Sequence, residues 1–200
     1  MFLGAALIIG ALSLFLFNRQ EDAEAEQASV EVLPQLIQKI EEEKLTPQET
    51  PKPVQPIATP VEFLSPADLE MTEVEIDGYA YIGYLSIPAL GLELPVMAEW
   101  DYTRLQIAPC RYAGSVRGED FVIMAHNYAS HFGGLSALTE GDSVYFTDMD
   151  GVTTAYAVVA QDVLAPNAVK EMTAGEFDLT LFTCTYGGKS RVTVYCDRAS

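Results

Sequence analysis

Cys184 closes an apolar run, Asp178 to Thr183, and Arg191 opens another, Arg191 to Cys196. Between them lies a short polar stretch, Thr185 to Ser190, containing Gly187 and Gly188. Two β-rich runs around such a turn predict a hairpin. If Cys184 and Arg191 pair across it, their β-carbons lie about 5 Å apart. Alternation along the strands puts Leu179, Leu181 and Thr183 on one face with Val192, Val194 and Cys196. Cys184 and Arg191 fall on the other face, a thiol beside a guanidinium. A cation beside a thiol favours the thiolate, which is the nucleophilic form. The competing reading is a small apolar core cysteine, the commoner fate of a free thiol.

The chain has only two histidines, His126 and His131, so any imidazole chemistry must use one of them. His126 follows the apolar strand candidate Phe121 to Ala125 and precedes a polar loop, Asn127 to Phe132, with Gly133 and Gly134 beyond. A strand-end histidine beside a loop suits a general acid and base at a cleft rim. His131 reads as an exposed loop residue or a loop tether. Thiolate attack on a peptide carbonyl, protonation of the leaving amine by imidazolium and a donor for the oxyanion complete an acyl-transfer cycle. None of these roles calls for a cofactor.

The other two cysteines read as structural. Cys196 sits on the core face, roughly 16 Å along the strand from Arg191 at 3.3 Å per residue, so a bridge to Cys184 is excluded. Cys110 reads as a buried thiol. No zinc spacing occurs among the three cysteines. A net charge of −18 over 200 residues argues against nucleic-acid binding.

Several elements must position these groups. Phe2 to Phe17 is a continuous apolar run, roughly 24 Å long as a helix. It reads first as a membrane signal-anchor within residues 1–20. A cleaved signal peptide, with Ala23-Glu24-Ala25 as its site, and a buried core helix are the alternatives. Residues 21–77 read as an acidic, Pro-rich stalk or linker. They carry fifteen acids against three bases, and helical spacing appears at Val32, Leu33, Leu36, Ile37 and Ile40. Thr46 to Pro66 holds six prolines and reads as an extended spacer. Residues 78–200 form the folded domain. Strands are expected near Ala80–Ile87, Leu92–Met97, Phe121–His126, Ser143–Thr147, Thr153–Val163, Asp178–Thr183 and Arg191–Cys196. Many short strands without a long helix predict a mainly β fold, a closed or nearly closed barrel.

These residues together resemble the sortases, cysteine transpeptidases of Gram-positive cell surfaces. Thr180-Leu181-Phe182-Thr183-Cys184 is similar to the family's TLxTC signature, with Arg191 in the place of its strand-initial arginine. Ile123 to Asn127, Phe132 to Leu135 and Leu138 to Asp142 resemble the histidine loop and its sequel. The likeness covers roughly Gly78 to Asp197. It implies an eight-stranded barrel with short helices, a membrane anchor and a catalytic domain on the extracellular side. It implies Cys184 as nucleophile, His126 as acid and base and Arg191 as substrate and oxyanion aid, with Thr183 and Asn127 near the substrate. The implied partners are secreted proteins bearing an LPxTG-like C-terminal sorting signal and a cell-wall or pilin amine acceptor. No organic cofactor follows from it; calcium occurs in some members, without a distinctive acidic pattern here. The Cys-to-Arg spacing of seven is short, which keeps Arg198 and Arg111 as alternative arginines. No Asp-Pro-aromatic lid precedes the domain, and the stretch from Val163 to Asp178 is too short for a long inserted helix. Two other functions fit the same residues: a hydrolase releasing the acyl group to water, and a non-catalytic, membrane-tethered barrel that binds a peptide or wall component.

Overall fold

The structure, a computed structural model, describes residues 2–45 and 70–199. The expected Pro-rich spacer lies outside the described residues. Nine strands build one sheet: β1 (Val74–Ile76), β2 (Tyr79–Ile87), β3 (Leu92–Met97), β4 (Cys110–Ala113), β5 (Phe121–Met124), β6 (Ser143–Asp148), β7 (Thr153–Leu164), β8 (Leu179–Cys184) and β9 (Arg191–Arg198). Their order is β1-β2-β3-β4-β5-β8-β9-β7-β6, and β6 pairs back onto β2. The ring from β2 round to β6 therefore closes on eight strands, and β1 is a flap on β2. Closure leaves the eight strands without a free edge.

Two turns explain how the chain starts this ring. Asp77 and Gly78 both take positive φ, 52° and 82°, between the paired residues Ile76 and Tyr79. That is the Asp-Gly signature of a two-residue hairpin. At Gly83, φ is 148°, and a β-carbon there would lie 2.1 Å from the Thr147 carbonyl oxygen. Only glycine lets β2 shift register against β3 and press its backbone onto β6 at this point.

The barrel interior is filled by alternating residues such as Ile82, Leu85, Phe121, Ile123, Phe146, Leu181 and Val194. Phe121 and Phe146 meet edge to face at 5.0 Å between centroids. Each such fully buried side chain contributes roughly 1.5–3 kcal/mol. The outward residues Tyr81 and Met97 are buried as well, because a second cluster covers them. That cover is α1 (Phe2–Leu45), a single 44-residue helix. Its residues Ala25, Ser29, Val32, Leu36 and Ile40 are buried. This seam of threes and fours is one helix face. Val32, Leu36 and Ile40 pack on Ile76, Tyr81, Met97 and Met149. The helical part of the expected stalk thus seats on the barrel rather than standing free of it. Pro34 removes one helix hydrogen bond, but it sits on the exposed side of the seam.

The amino-terminal part of α1 is different. Leu7, Ile8, Ile9, Leu12 and Leu14 to Phe17 are all exposed. Among the described residues, no helix is long and apolar enough to cross a membrane. The apolar run gives way within a turn to Arg19, Glu21 and Asp22. Among the described residues, two short α-helices, α2 (Tyr102–Leu105) and α3 (Val169–Met172), and three 3-10 segments complete the fold. Helix α3 occupies the stretch that had no room for a long one. Sequence reading missed β1 and β4, three and four residues long. Neither gives a period long enough to register as alternation.

Candidate active site

β5 and β8 run parallel, with Met124 opposite Phe182. Parallel neighbours end at the same end of a barrel. Two residues beyond that pair come His126 on one strand and Cys184 on the other. The lateral bond from the Ala125 N–H to the Phe182 carbonyl continues the ladder at 3.2 Å. Thr183 donates its hydroxyl to the Ala125 carbonyl at 2.9 Å. The residue before the thiol is thereby fixed to the residue before the imidazole. On the other side of β8, the antiparallel register places Cys184 opposite Arg191.

These residues meet at a cavity of about 180 Å³, lined by Cys184, His126, Asn127 and Arg191. Its remaining wall is apolar, with Trp100, Tyr112, Met124, Phe182 and Met172. Trp100 packs on Tyr112 at 5.5 Å, and Tyr112 meets Phe182 edge to face at 5.2 Å. That apolar wall makes one side of the cavity low in dielectric, a setting in which charge interactions are strengthened. Cys184 is a free, half-buried thiol.

Each polar group is held by its own loop. His126 Nδ1 lies 3.1 Å from the Asn127 side-chain oxygen. That contact orients the imidazole from its Nδ1 side. Tyr128 stacks on the imidazole, with centroids 4.1 Å apart and planes within 14°. Burial, followed by the charges of Glu21, Asp22 and Glu24, pushes the Tyr128 phenol up to about 12. Arg191 Nη1 donates to the carbonyls of Gly188 at 3.2 Å and Ser190 at 3.1 Å. The loop is itself closed by the Thr185 N–H donating to the Ser190 carbonyl at 2.9 Å.

The structure therefore brings Cys184, His126, Arg191 and Asn127 to one cavity. Thr183 is buried behind it, because alternation turns it away from the Cys184 face. The alternative arginines are elsewhere. Arg198 pairs with Asp178 at 3.4 Å and donates to the Val116 and Gly118 carbonyls. Arg111 donates to the Ala98 carbonyl at 2.8 Å and faces Glu73.

His131 departs from expectation: it is fully buried rather than exposed. Its ring lies against the Ile107 backbone, with no hydrogen bond of full geometry to either nitrogen. Burial, then the charge of His126, pushes it down to about 4. The loop folds under itself because Phe132 and Leu135 enter the core beside it. The aromatic wall was also missed. Trp100, the chain's only tryptophan, was the available signal. Cys110 and Cys196 are buried, and burial pushes both thiols up to about 12. Among the described residues, no group of three or more His, Cys, Asp or Glu is placed to hold a metal ion.

Comparison with known proteins follows this geometry. A sortase-domain family model matches residues 85–199. Among solved structures, sortase A from Corynebacterium diphtheriae is 28% identical, with a TM-score of 0.56 over 61% of this chain and 62% of that one. Sortase C1 of GBS Pilus Island 1 is 25% identical, with a TM-score of 0.54 over 60% and 64%. Sortase C1 from Streptococcus suis is 29% identical, with a TM-score of 0.52 over 60% and 73%. The chain thus spans less than two thirds of the first two of these proteins. No curated protein matches it. With the family's own domain laid over more than half of its length and a closed eight-stranded barrel beneath, the chain belongs to the sortase family of cysteine transpeptidases.

Proposed function

We propose that the protein cleaves an LPxTG-like sorting signal and joins the acyl group to a cell-wall or pilin amine. The observation that carries this reading is the register of β8 and β9, which sets Cys184 opposite Arg191 at a cavity that His126 also lines. The Cys184 sulfur attacks a peptide carbonyl of the signal, and the developing oxyanion is met by the Arg191 guanidinium. The His126 imidazolium gives its proton to the leaving amine, and a thioester remains on Cys184. An acceptor amine then attacks the thioester carbonyl, the C–N bond forms as the C–S bond breaks, His126 takes up the amine proton and Cys184 leaves as the thiolate. The Trp100, Tyr112 and Phe182 wall offers apolar surface to the signal's side chains. Thr183 serves by holding β8 to the histidine strand, and Asn127 by orienting the imidazole.

In this reading residues 1–20 anchor the chain in a cell membrane, with the exposed Leu7 to Phe17 face as the part that inserts. Residues 21–77 link the anchor to the catalytic domain of residues 78–200, which stands on the extracellular side. The test is mass spectrometry of the full chain after exposure to a library of sorting peptides, with and without an amine. An acyl adduct on Cys184, absent from Cys184→Ala and discharged to a new amide by the amine, is the expected result. Peptide cleavage without a Cys184 adduct would overturn it. Discharge to water alone, whatever the amine, would make the protein a hydrolase.

A further inference from the structure

The loop that follows His126 is held at its ends by the barrel and at its crest by α1. At its far end Phe132 and Leu135 enter the core, and the Phe132 N–H donates to the His126 carbonyl at 3.2 Å. The crest is Ser130. Its N–H donates to Asp22 Oδ1 at 3.0 Å and its hydroxyl to the same oxygen at 2.6 Å. The hydroxyl also lies 3.2 Å from the Asp22 carbonyl oxygen. Beside this clasp, helix and loop bound a cavity of about 570 Å³.

The turn that carries Ser130 is tight. The N–H groups of His131 and Gly133 both donate to the Tyr128 carbonyl, at 3.1 and 2.8 Å. A β-carbon on Gly133 would lie 2.6 Å from that oxygen. A displacement of Ser130 is therefore passed to Tyr128, whose ring stacks on the His126 imidazole. The buried His131 ring lies 5.6 Å from the Tyr128 ring. The charge of Asp22 is felt at both: at the Tyr128 phenol after burial and Glu21, and at His131 after burial and His126.

Asn127 and Tyr128, the two side chains that guide the imidazole, both belong to the loop and not to a strand. Their placement needs a rigid reference outside it. Helix α1 supplies one, since Asp22 precedes the buried seam residue Ala25 by three positions on the same face. We propose that Asp22 is a positioning residue for the His126 imidazole, acting through Ser130 and Tyr128. This rests on the transpeptidase reading above. The acid that protonates a leaving amine must stand within hydrogen-bond reach of it, and a small misplacement of a catalytic group costs rate. The cavity that holds Cys184 is lined by neither Asp22 nor Ser130. Loss of the clasp therefore slows proton delivery and leaves binding of the signal unchanged. The helix that steadies the imidazole is also the one whose exposed apolar run ends at Phe17, five residues before Asp22.

The experiment follows thioester formation in the full chain, per folded molecule, as the concentration of the library's fastest wild-type sorting peptide varies. The series is wild type, Asp22→Asn, Asp22→Ala, Tyr128→Ala and the Asp22→Ala/Tyr128→Ala double variant, with thermal melts as the folding control. Asp22→Ala should lower the maximal rate about tenfold, the scale of one charged hydrogen bond, with the half-saturating peptide concentration unchanged. Asp22→Asn keeps the acceptor oxygen and should recover most of that loss. The double variant should be no slower than the slower single one, because both changes cut one line of contact. An unchanged maximal rate in Asp22→Ala, a loss seen only as weaker peptide binding, an Asn variant as slow as Ala, or losses that multiply in the double variant would each overturn the assignment. A wild type that forms no thioester with any library peptide would instead overturn the function it rests on.

Discussion

The β8–β9 hairpin has two ends made from similar residues and put to opposite uses. At one end Cys184 faces Arg191 across the ladder, half-buried, beside a cavity. At the other, Leu179 faces Cys196, and both are fully buried in the barrel. The two thiols lie on adjacent strands of one sheet, yet alternation puts one outside and one inside. A cysteine's fate here depends on which face of the pleat it occupies and what stands opposite, more than on the local sequence around it.

The sharpest way to break the contrast is to delete each thiol. Cys184→Ala should lower acyl transfer roughly 10⁴-fold or more, with an unchanged circular dichroism spectrum. Cys196→Ala should leave kcat per folded molecule near wild type. Equal kcat losses in the two variants would erase the distinction. Next comes the partner residue. Arg191→Ala should cost roughly 10²–10³-fold in kcat, the range for a lost oxyanion donor. Arg191→Lys should recover only part of it, since an ammonium lacks the guanidinium fork. Full recovery by Lys would reduce the role to simple charge.

A core substitution tests the other end. Leu181→Ala removes a fully buried side chain and should cost about 2–5 kcal/mol of stability by denaturant unfolding. Activity per folded molecule should change far less than in Arg191→Ala. The last effect is alkaline. Cys110 and Cys196 are pushed by burial from 9.0 to about 12. Above pH 9 the unfolded thiols release protons that the folded ones keep, so stability is full below pH 9 and falls as pH rises toward 12. The slope should be about 1 kcal/mol per pH unit for each thiol. Tyr81 and Tyr156, also raised to about 12, add to it above pH 10. At pH 8, iodoacetamide should label Cys184 well before the buried pair. Uniform labelling in the folded protein would contradict the burial.

Much of the barrel was legible because its longer strands alternate cleanly, and the Cys184–Arg191 register followed from the length of the turn between them. β1 and β4 were not, being too short to show a period. The seat of α1 was half visible. Val32, Leu36 and Ile40 carried helical spacing, but spacing does not say what a face packs on. The reason lies in Tyr81 and Met97, apolar residues on the outer face of β2 and β3 that needed a cover. His131 was misread because its loop looked polar; the burial comes from Phe132 and Leu135, which pull the neighbouring histidine in. The aromatic wall joins Trp100, Tyr112 and Phe182 from three distant stretches, and no local pattern links them.

The parallel pairing of β5 with β8 also sets when the chemistry can appear. The hydroxyl tie between Thr183 and Ala125 joins positions 58 residues apart, and strands β6 and β7 are made in between. Contacts of that separation form late, after the loop-closure entropy has been overcome. A chain still completing its barrel therefore carries the thiol without the imidazole beside it. Acyl transfer by the thiol–imidazole pair requires ring closure, and a fragment holding either strand alone has one of the two groups without the other.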